Sequence, residues 1–158
     1  MAIEIRFATA DDIPAMHGLI MDLAIYEKEP DAVTLTQEVM TKDFVNGLFQ
    51  CIVAEVEGRV VGMALYYPRY STWKGKTLHL EDFIVKEEHR QSGIGRMLFD
   101  RVVLESQMYG AKRLEWAVLE WNTPALNFYN KIGAHIDPEW QVAQLTEDQI
   151  QNFSFTSA

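Results

Sequence analysis

The chain has 158 residues, 48% hydrophobic and 23% charged, which suits one soluble globular domain with one substantial core. A formal net charge of −9 excludes duplex nucleic acid and an anionic membrane surface as first-choice partners; it would attract a cationic small molecule, although acidity also serves solubility alone. No apolar run approaches the roughly 20 residues needed to span a bilayer, the N-terminus lacks a signal-peptide pattern, and the single Cys51 rules out an internal disulfide or a cysteine-based metal site, so a cytoplasmic location is expected.

Ile3, Ile5 and Phe7 alternate with polar residues and predict a first strand. Thr9 or Asp11 can cap the helix that follows, with Pro14 in its first turn and Ile13, Met16, Ile20, Leu23 and Ala24 at helical spacing. That helix fades near 26–30. A second helix starts after Thr34 or Thr36 and ends near Asn46-Gly47. Gln50 to Val56 and Arg59 to Tyr67 read as a hairpin turned by Glu57-Gly58. A loop from Pro68 to Gly75 leads to a third strand pattern, Thr77 to Val85.

Ile94 to Tyr109 suits a long amphipathic helix carrying Met97, Leu98, Val102, Leu104 and Met108, with Gly110 as its C-cap. Arg113 to Leu119 predicts another strand, and Asn122-Thr123-Pro124 opens a short helix through Lys131, stopped by Gly133. Trp140 to Leu145 predicts a final strand before a short helix capped by Thr146. The order is β-α-α-β-β-β-α-β-α-β in a single domain, 1–158. The strand–helix–strand unit around Gly93 is expected to be parallel and the earlier hairpins antiparallel. The expected class is α/β, a mixed sheet with helices on its faces.

Gly93 and Gly95 lie between a strand and a long helix. A helix N-terminus presents unpaired N–H groups and a positive dipole end to a phosphate, and glycines let the backbone approach it; Arg90 and Arg96 add charge. Spacing alone is equally the chemistry of an ordinary turn. No Gly-x-x-x-x-Gly-Lys-Ser/Thr run exists, and Leu98 stands where a dinucleotide fingerprint needs its third glycine. His17, His79, His89 and His135 show no metal-ligand spacing, so no metal is expected.

Arg90-Gln91-Ser92-Gly93-Ile94-Gly95 resembles the Arg/Gln-x-x-Gly-x-Gly/Ala signature of the GNAT acetyltransferase superfamily. A second signature follows in place: Asn122, Ala125, Phe128 and Tyr129, closed by Gly133-Ala134. The segments Leu23 to Glu27, Tyr66-Tyr67, Tyr70 to Gly75, Leu80 to Phe83, Trp121-Asn122 and Trp140 resemble the diamine (spermidine/spermine) and thialysine acetyltransferase branch, with Ser71 to Gly75 nearer the thialysine-type and bacterial members.

The resemblance implies a splayed parallel strand pair holding acetyl-CoA. Gln91, Ser92, Gly93, Ile94, Gly95 and Arg96 would cradle the pyrophosphate, and Phe83, Ile84 and Val85 would pair with the pantetheine arm and meet the oxyanion through a backbone N–H. Asn122 would bond backbone or cofactor. Tyr129 would protonate the departing thiolate, since a phenol remains protonated at neutral pH. Glu81 is the first choice for removing the amine proton, and Asp82 for holding a cationic end, although adjacent strand residues face opposite ways unless a bulge intervenes. Tyr26, Glu27, Trp73 and Trp140 complete the acceptor candidates.

The implied function is acetyl transfer to a primary amine of a small cationic acceptor, by a cytoplasmic homodimer. An acyl-CoA-binding sensor without turnover, or an enzyme acting on a protein or peptide amine, are the competing readings.

Overall fold

The computed structural model describes residues 1–156. The chain divides into two compact units, Met1–Leu119 and the segment from Glu120 onwards. In the first unit, strands β1 (Ile3–Phe7), β2 (Gln50–Val56), β3 (Arg59–Ser71), β4 (Gly75–Val85) and β5 (Leu114–Glu115) form one mixed sheet in sequence order. The first four are antiparallel, and β5 runs parallel to β4 through Leu78↔Leu114 and His79↔Glu115.

Helices α1 (Ile13–Tyr26) and α2 (Gln37–Val45) cover one face. Their Ile13, Met16, Leu19 and Met40 join Cys51 and Val53 of β2, Met63 and Leu65 of β3, and Ile84 of β4 in the core. By the pleat's two-residue alternation, Ile52, Ala64 and Tyr66 turn to the other face. There α3 (Ile94–Tyr109) packs Ile94, Leu98, Phe99 and Val102, a stripe close to helical period. Met97, Leu104 and Met108, expected in that stripe, lie on its exposed side instead. They follow a second line of the same period, and the sheet accepts only one.

Local chemistry accounts for the boundaries. Neither capping alternative is the N-cap of α1, which is Asp12: Thr9 precedes a single 3-10 turn, Ala10–Asp12, and its N–H donates to the Asp12 carboxylate at 2.8 Å. Asp12 also takes both terminal nitrogens of Arg6, at 2.8 and 2.9 Å, and Arg6 reaches Glu55 at 2.8 Å, which ties α1 to β1 and β2. Arg6, and then its own Thr9 contacts, hold the Asp12 carboxyl below its usual range despite burial. Thr36 rather than Thr34 caps α2, accepting from Val39 N–H. Glu57 and Gly58 both have positive φ, 50° and 75°, as a two-residue hairpin turn of mirror type requires.

Three expectations are corrected. The loop predicted from Pro68 to Gly75 shrinks to three turn residues, because β3 continues through Pro68 to Ser71. The β2 ladder ends at Gln50↔Tyr66, so beyond it β3 is an edge on that side and proline's missing N–H deprives no neighbour. The strand predicted over Arg113 to Leu119 keeps only Leu114–Glu115. Its ladder stops at His79, two residues short of a β-bulge in β4 that changes the strand's course. Trp140 to Leu145 forms no strand, having no ladder partner among the described residues.

The second unit holds α4 (Thr123–Lys131), capped by the Asn122 side chain on Ala125 N–H, and α5 (Glu147–Gln151), capped by Thr146 and Gln149 in a reciprocal box. Among the described residues no helix is long and apolar enough to cross a membrane.

Candidate functional site

The β4 bulge decides the placement of the carboxylates. Leu65 pairs with Asp82 and Tyr66 with Leu80, so Glu81 is the extra residue. Before it, His79 pairs with Tyr67; after it, Asp82 and Ile84 pair with Leu65 and Met63 of the α1-covered face. The inserted residue shifts the pleat by one, so the successive residues Glu81 and Asp82 both serve the α1 side. Glu27, the C-cap of α1, lies near enough for its charge to act on Asp82.

Burial first, then the Glu81 and Glu27 charges, push the Asp82 carboxyl up to about 6. Burial also raises Glu27 above the usual carboxylate range. Glu81 is more open, with its side chain 52% exposed, and accepts a 2.8 Å hydrogen bond from Tyr67 Oη. Burial and that carboxylate raise the Tyr67 phenol to about 12, which keeps it a donor. Three acids thus converge on one end of α1 and the middle of β4, a setting that stabilises a cation and shifts its own members' protonation.

The glycine loop stands at the far end of β4. Gln91 and Gly93 take positive φ, 61° and 86°, and turn the chain into α3. Apart from its chain neighbours, no atom lies within 4 Å of where a Cβ on Gly93 would be. Arg90 Nε donates to Val85 O at 3.0 Å, its guanidinium stacks 5.4 Å from the Tyr26 ring centre, and Ser92 Oγ bonds His89 O. Arg96 pairs with Asp100 at 2.6 Å. The first-turn N–H groups of Ile94, Gly95 and Arg96 have no intrahelical acceptors by construction and supply the anion-binding end of α3.

Beside the loop, Phe83, Ile84 and Val85 pair with β3, and the β5 ladder ends at His79, short of this stretch. Strand backbone beyond the end of a neighbour's ladder is the kind of edge that an extended amide-bearing chain can match. An open strand edge leading to a helix N-terminus fits a ligand with an amide arm and a phosphate end.

The remaining candidates are placed separately. Trp73 is 85% exposed at the β3–β4 turn. Six strand residues, roughly 20 Å of extended chain, separate that turn from Glu81. In the second unit Tyr129 is buried on α4, with the Phe128 ring 5.7 Å away, and Trp140 is 78% exposed in irregular chain. Two concavities around Gln50 and Glu105 include none of the predicted site residues. Among the described residues no group of three or more His, Cys, Asp or Glu is placed to hold a metal ion. Cys51 is buried, and that burial pushes its thiol up, away from nucleophile chemistry.

Sequence reasoning missed Tyr67, Arg69 and His79 as neighbours of Glu81. Arg69 Nη1 lies 3.3 Å from His79 Nδ1, and His79 Nε2 lies 3.4 Å from Glu81 Oε2. The signal was present: His79 and Glu81 share strand parity, and Tyr67 sits across the hairpin.

Residues 14–134 match the model of the Acetyltransferase (GNAT) family. This chain is a GNAT acetyltransferase. It is 38% identical over 140 residues to the thialysine N-epsilon-acetyltransferase of Bos taurus, which covers 82% of each chain. It is 26% identical over 195 aligned positions to the L-ornithine N5-acetyltransferase of Arabidopsis thaliana, covering 93% of this chain and 86% of that one. Among solved structures, an integron cassette protein from the mobile metagenome of V. cholerae superposes with a TM-score of 0.77 at 20% identity, covering 96% of both chains, and shares the fold. GNAT acetyltransferases use acetyl-CoA, whose amide arm suits a strand edge and whose pyrophosphate suits a helix N-terminus.

Proposed function

We propose that this acetyltransferase transfers acetyl from acetyl-CoA to a primary amine of a small cationic acceptor: a diamine, a polyamine, or a thialysine- or lysine-like amino acid. The observation that carries the reading is the convergence of Glu27, Glu81 and Asp82 on one face of β4, next to the strand stretch and helix end that fit acetyl-CoA. The named relatives, which act on thialysine and ornithine, support the same class of acceptor.

In this reading the pyrophosphate rests on the backbone from Gln91 to Arg96, with Arg90 alongside, and the pantetheine amides pair with Phe83, Ile84 and Val85. Asn122 supports the cofactor from the start of its helix. An alkylammonium has a pKa near 10 and must lose a proton before attack. Glu81, the exposed member of the acid group, takes that proton directly or through water. The neutral amine attacks the thioester carbonyl, a β4 backbone N–H meets the developing oxyanion, the C–S bond breaks, Tyr129 gives its proton to the thiolate, and the extra proton on the attacking nitrogen passes through water to restore the phenol. Asp82, Glu27, Tyr26, Trp73 and Trp140 select the acceptor. Both units belong to one catalytic domain, a reading supported by a family match that runs through Leu119. The enzyme works in the cytoplasm as a homodimer, by resemblance to its branch.

The test is CoA release with thialysine, ornithine, lysine, spermidine, putrescine and a short peptide. Release is expected with the small amines and little with the peptide. Tight acetyl-CoA binding without release from any amine would instead establish a sensor. Tyr129→Phe is expected to lower kcat about 10- to 100-fold with acetyl-CoA affinity nearly unchanged. An unchanged kcat removes Tyr129 from the acid role.

A further inference from the structure

We infer that His79 is a positioning residue for Glu81, fixed by Arg69 in the tautomer that carries its proton on Nε2. The inference rests on the reading of Glu81 as the base.

An arginine side chain has only N–H donors and no acceptor. Arg69 Nη1 sits 3.3 Å from His79 Nδ1, so Nδ1 must present its lone pair there. A neutral imidazole has one N–H, which then belongs to Nε2. That nitrogen faces Glu81 Oε2 at 3.4 Å, a distance at which the N–H dipole attracts the carboxylate without a short hydrogen bond. Arg69 is itself anchored: Nη1 lies 2.8 Å from Glu115 Oε1, while Arg113 Nε lies 3.2 Å from Glu115 Oε2. Glu115 pairs with His79 in the parallel ladder, so the anchor comes from the adjacent strand.

Tyr67 acts on the same carboxylate oxygen. Its hydroxyl donates to Oε2 at 2.8 Å, and its ring lies 5.4 Å from the imidazole across the hairpin. Both Tyr67 and His79 therefore restrain Oε2, whereas Oε1 has no hydrogen-bond partner among the described residues. This division suits a base: one oxygen is held and the other is left to take a proton. The need is physical, because Glu81 is half-exposed on a bulge and a glutamate side chain otherwise loses orientation to its own rotamer freedom. His79, only 16% exposed, supplies a rigid, well-packed support. The charged and titratable groups around the ring are Arg69 and Tyr67 of β3, Glu81 of β4 and Glu115 of β5.

The experiment compares His79→Phe, which keeps the ring but removes both nitrogens, with His79→Gln, whose amide can accept from Arg69 and donate to Glu81. Each is made in the wild-type and Glu81→Gln backgrounds, and kcat, acceptor KM, acetyl-CoA affinity and the pH–rate profile are measured. His79→Phe is expected to lower kcat about tenfold and alter the pH profile, with acceptor KM within about twofold and acetyl-CoA affinity unchanged. His79→Gln is expected to restore kcat to within about threefold of wild type. In the Glu81→Gln background the His79→Phe loss should vanish, because the effect acts through that carboxylate. Wild-type kcat in His79→Phe, no rescue by glutamine, or a full loss on top of Glu81→Gln each overturns the inference. Should His79→Phe fail to fold, Arg69→Met frees Nδ1 while leaving the ring in place; an unchanged kcat and pH profile there also overturns it. The two readings separate cleanly: an active Glu81→Gln with an unaltered pH profile removes the base itself, whereas an impaired Glu81→Gln beside an intact His79→Phe removes only the role of His79.

Discussion

Glu81 and Asp82 are neighbours in sequence and differ in circumstance, and the bulge is the reason. Glu81 is the inserted residue and stays half-exposed against Tyr67, while Asp82 returns to the ladder opposite Leu65 and is half-buried under α1. Residue types identified the pair; pleat parity alone put them on opposite faces, and only the register resolves that conflict. Burial raises Asp82 to about 6, above the roughly 4 of an unfolded aspartate. Between those values the folded state holds more proton than the unfolded one, so this group's contribution to stability falls as pH rises from about 4 to 6. Asp82→Asn removes that loss. Thermal unfolding should show the variant more stable than wild type by about 1–2 kcal/mol at pH 7, with the difference closing by about pH 4. In the proposed acceptor site the same change removes a carboxylate from the amine's surroundings, so KM for a diamine should rise about tenfold, and wild-type KM should rise as pH falls through 6. A variant no more stable at pH 7 would mean that Asp82 is not under the strain its burial implies.

At the scale of elements, six glycines turn the chain with positive φ, and Gly62 brings a helix close. The sequence singled out Gly93 and Gly95; the register shows that Gly62 of β3 matters for a different reason. A Cβ there would stand 3.1 Å from Ile84 O and from Leu98 Cδ1, and 3.3 Å from Val85 Cγ2, so α3 rests on β3 and β4 at this point. The backbone oxygen cannot yield without moving the cofactor-side stretch of β4. Gly62→Ala is expected to cost about 1–3 kcal/mol in urea unfolding and to weaken acetyl-CoA binding. Gly93→Ala, at φ 86° with open space around it, is expected to cost about 1 kcal/mol through backbone strain alone. Equal losses for the two would refute the close-approach argument. Helices and the hairpin were legible because caps, period and turn residues act locally: Thr36, Gly58, Gly110 and Asn122 each mark a boundary found in the structure. The shortened β5 and the absent strand over Trp140 to Leu145 were not, because strand length depends on a partner's course, and nothing near Leu119 or Trp140 in sequence encodes the bulge at Glu81.

For the whole molecule, a net charge of −9 was ambiguous when read alone, equally consistent with solubility. The acid group on β4 gives it a direction, because Glu27, Glu81 and Asp82 concentrate negative charge where the proposed acceptor docks. The two substrates carry opposite charge, so one field acts on them oppositely. A cationic amine is drawn by both the local group and the net charge. Acetyl-CoA is an anion, which Arg90, Arg96 and the α3 N-terminus favour in the proposed site against the overall field. Raising ionic strength from 0.1 to 1 M shortens the screening length from about 10 to 3 Å, which removes long-range attraction and leaves contacts. KM for a dicationic acceptor should therefore rise several-fold over that range, and KM for a monocationic amine of similar size should rise less, while kcat changes little. KM for acetyl-CoA should change less than either, because screening weakens the unfavourable net field and the favourable arginines together. Identical salt responses for the dication and the monocation would show that the second positive charge finds no carboxylate in the site. Glu81 would then remain a base without Asp82 and Glu27 as the acceptor's anchor.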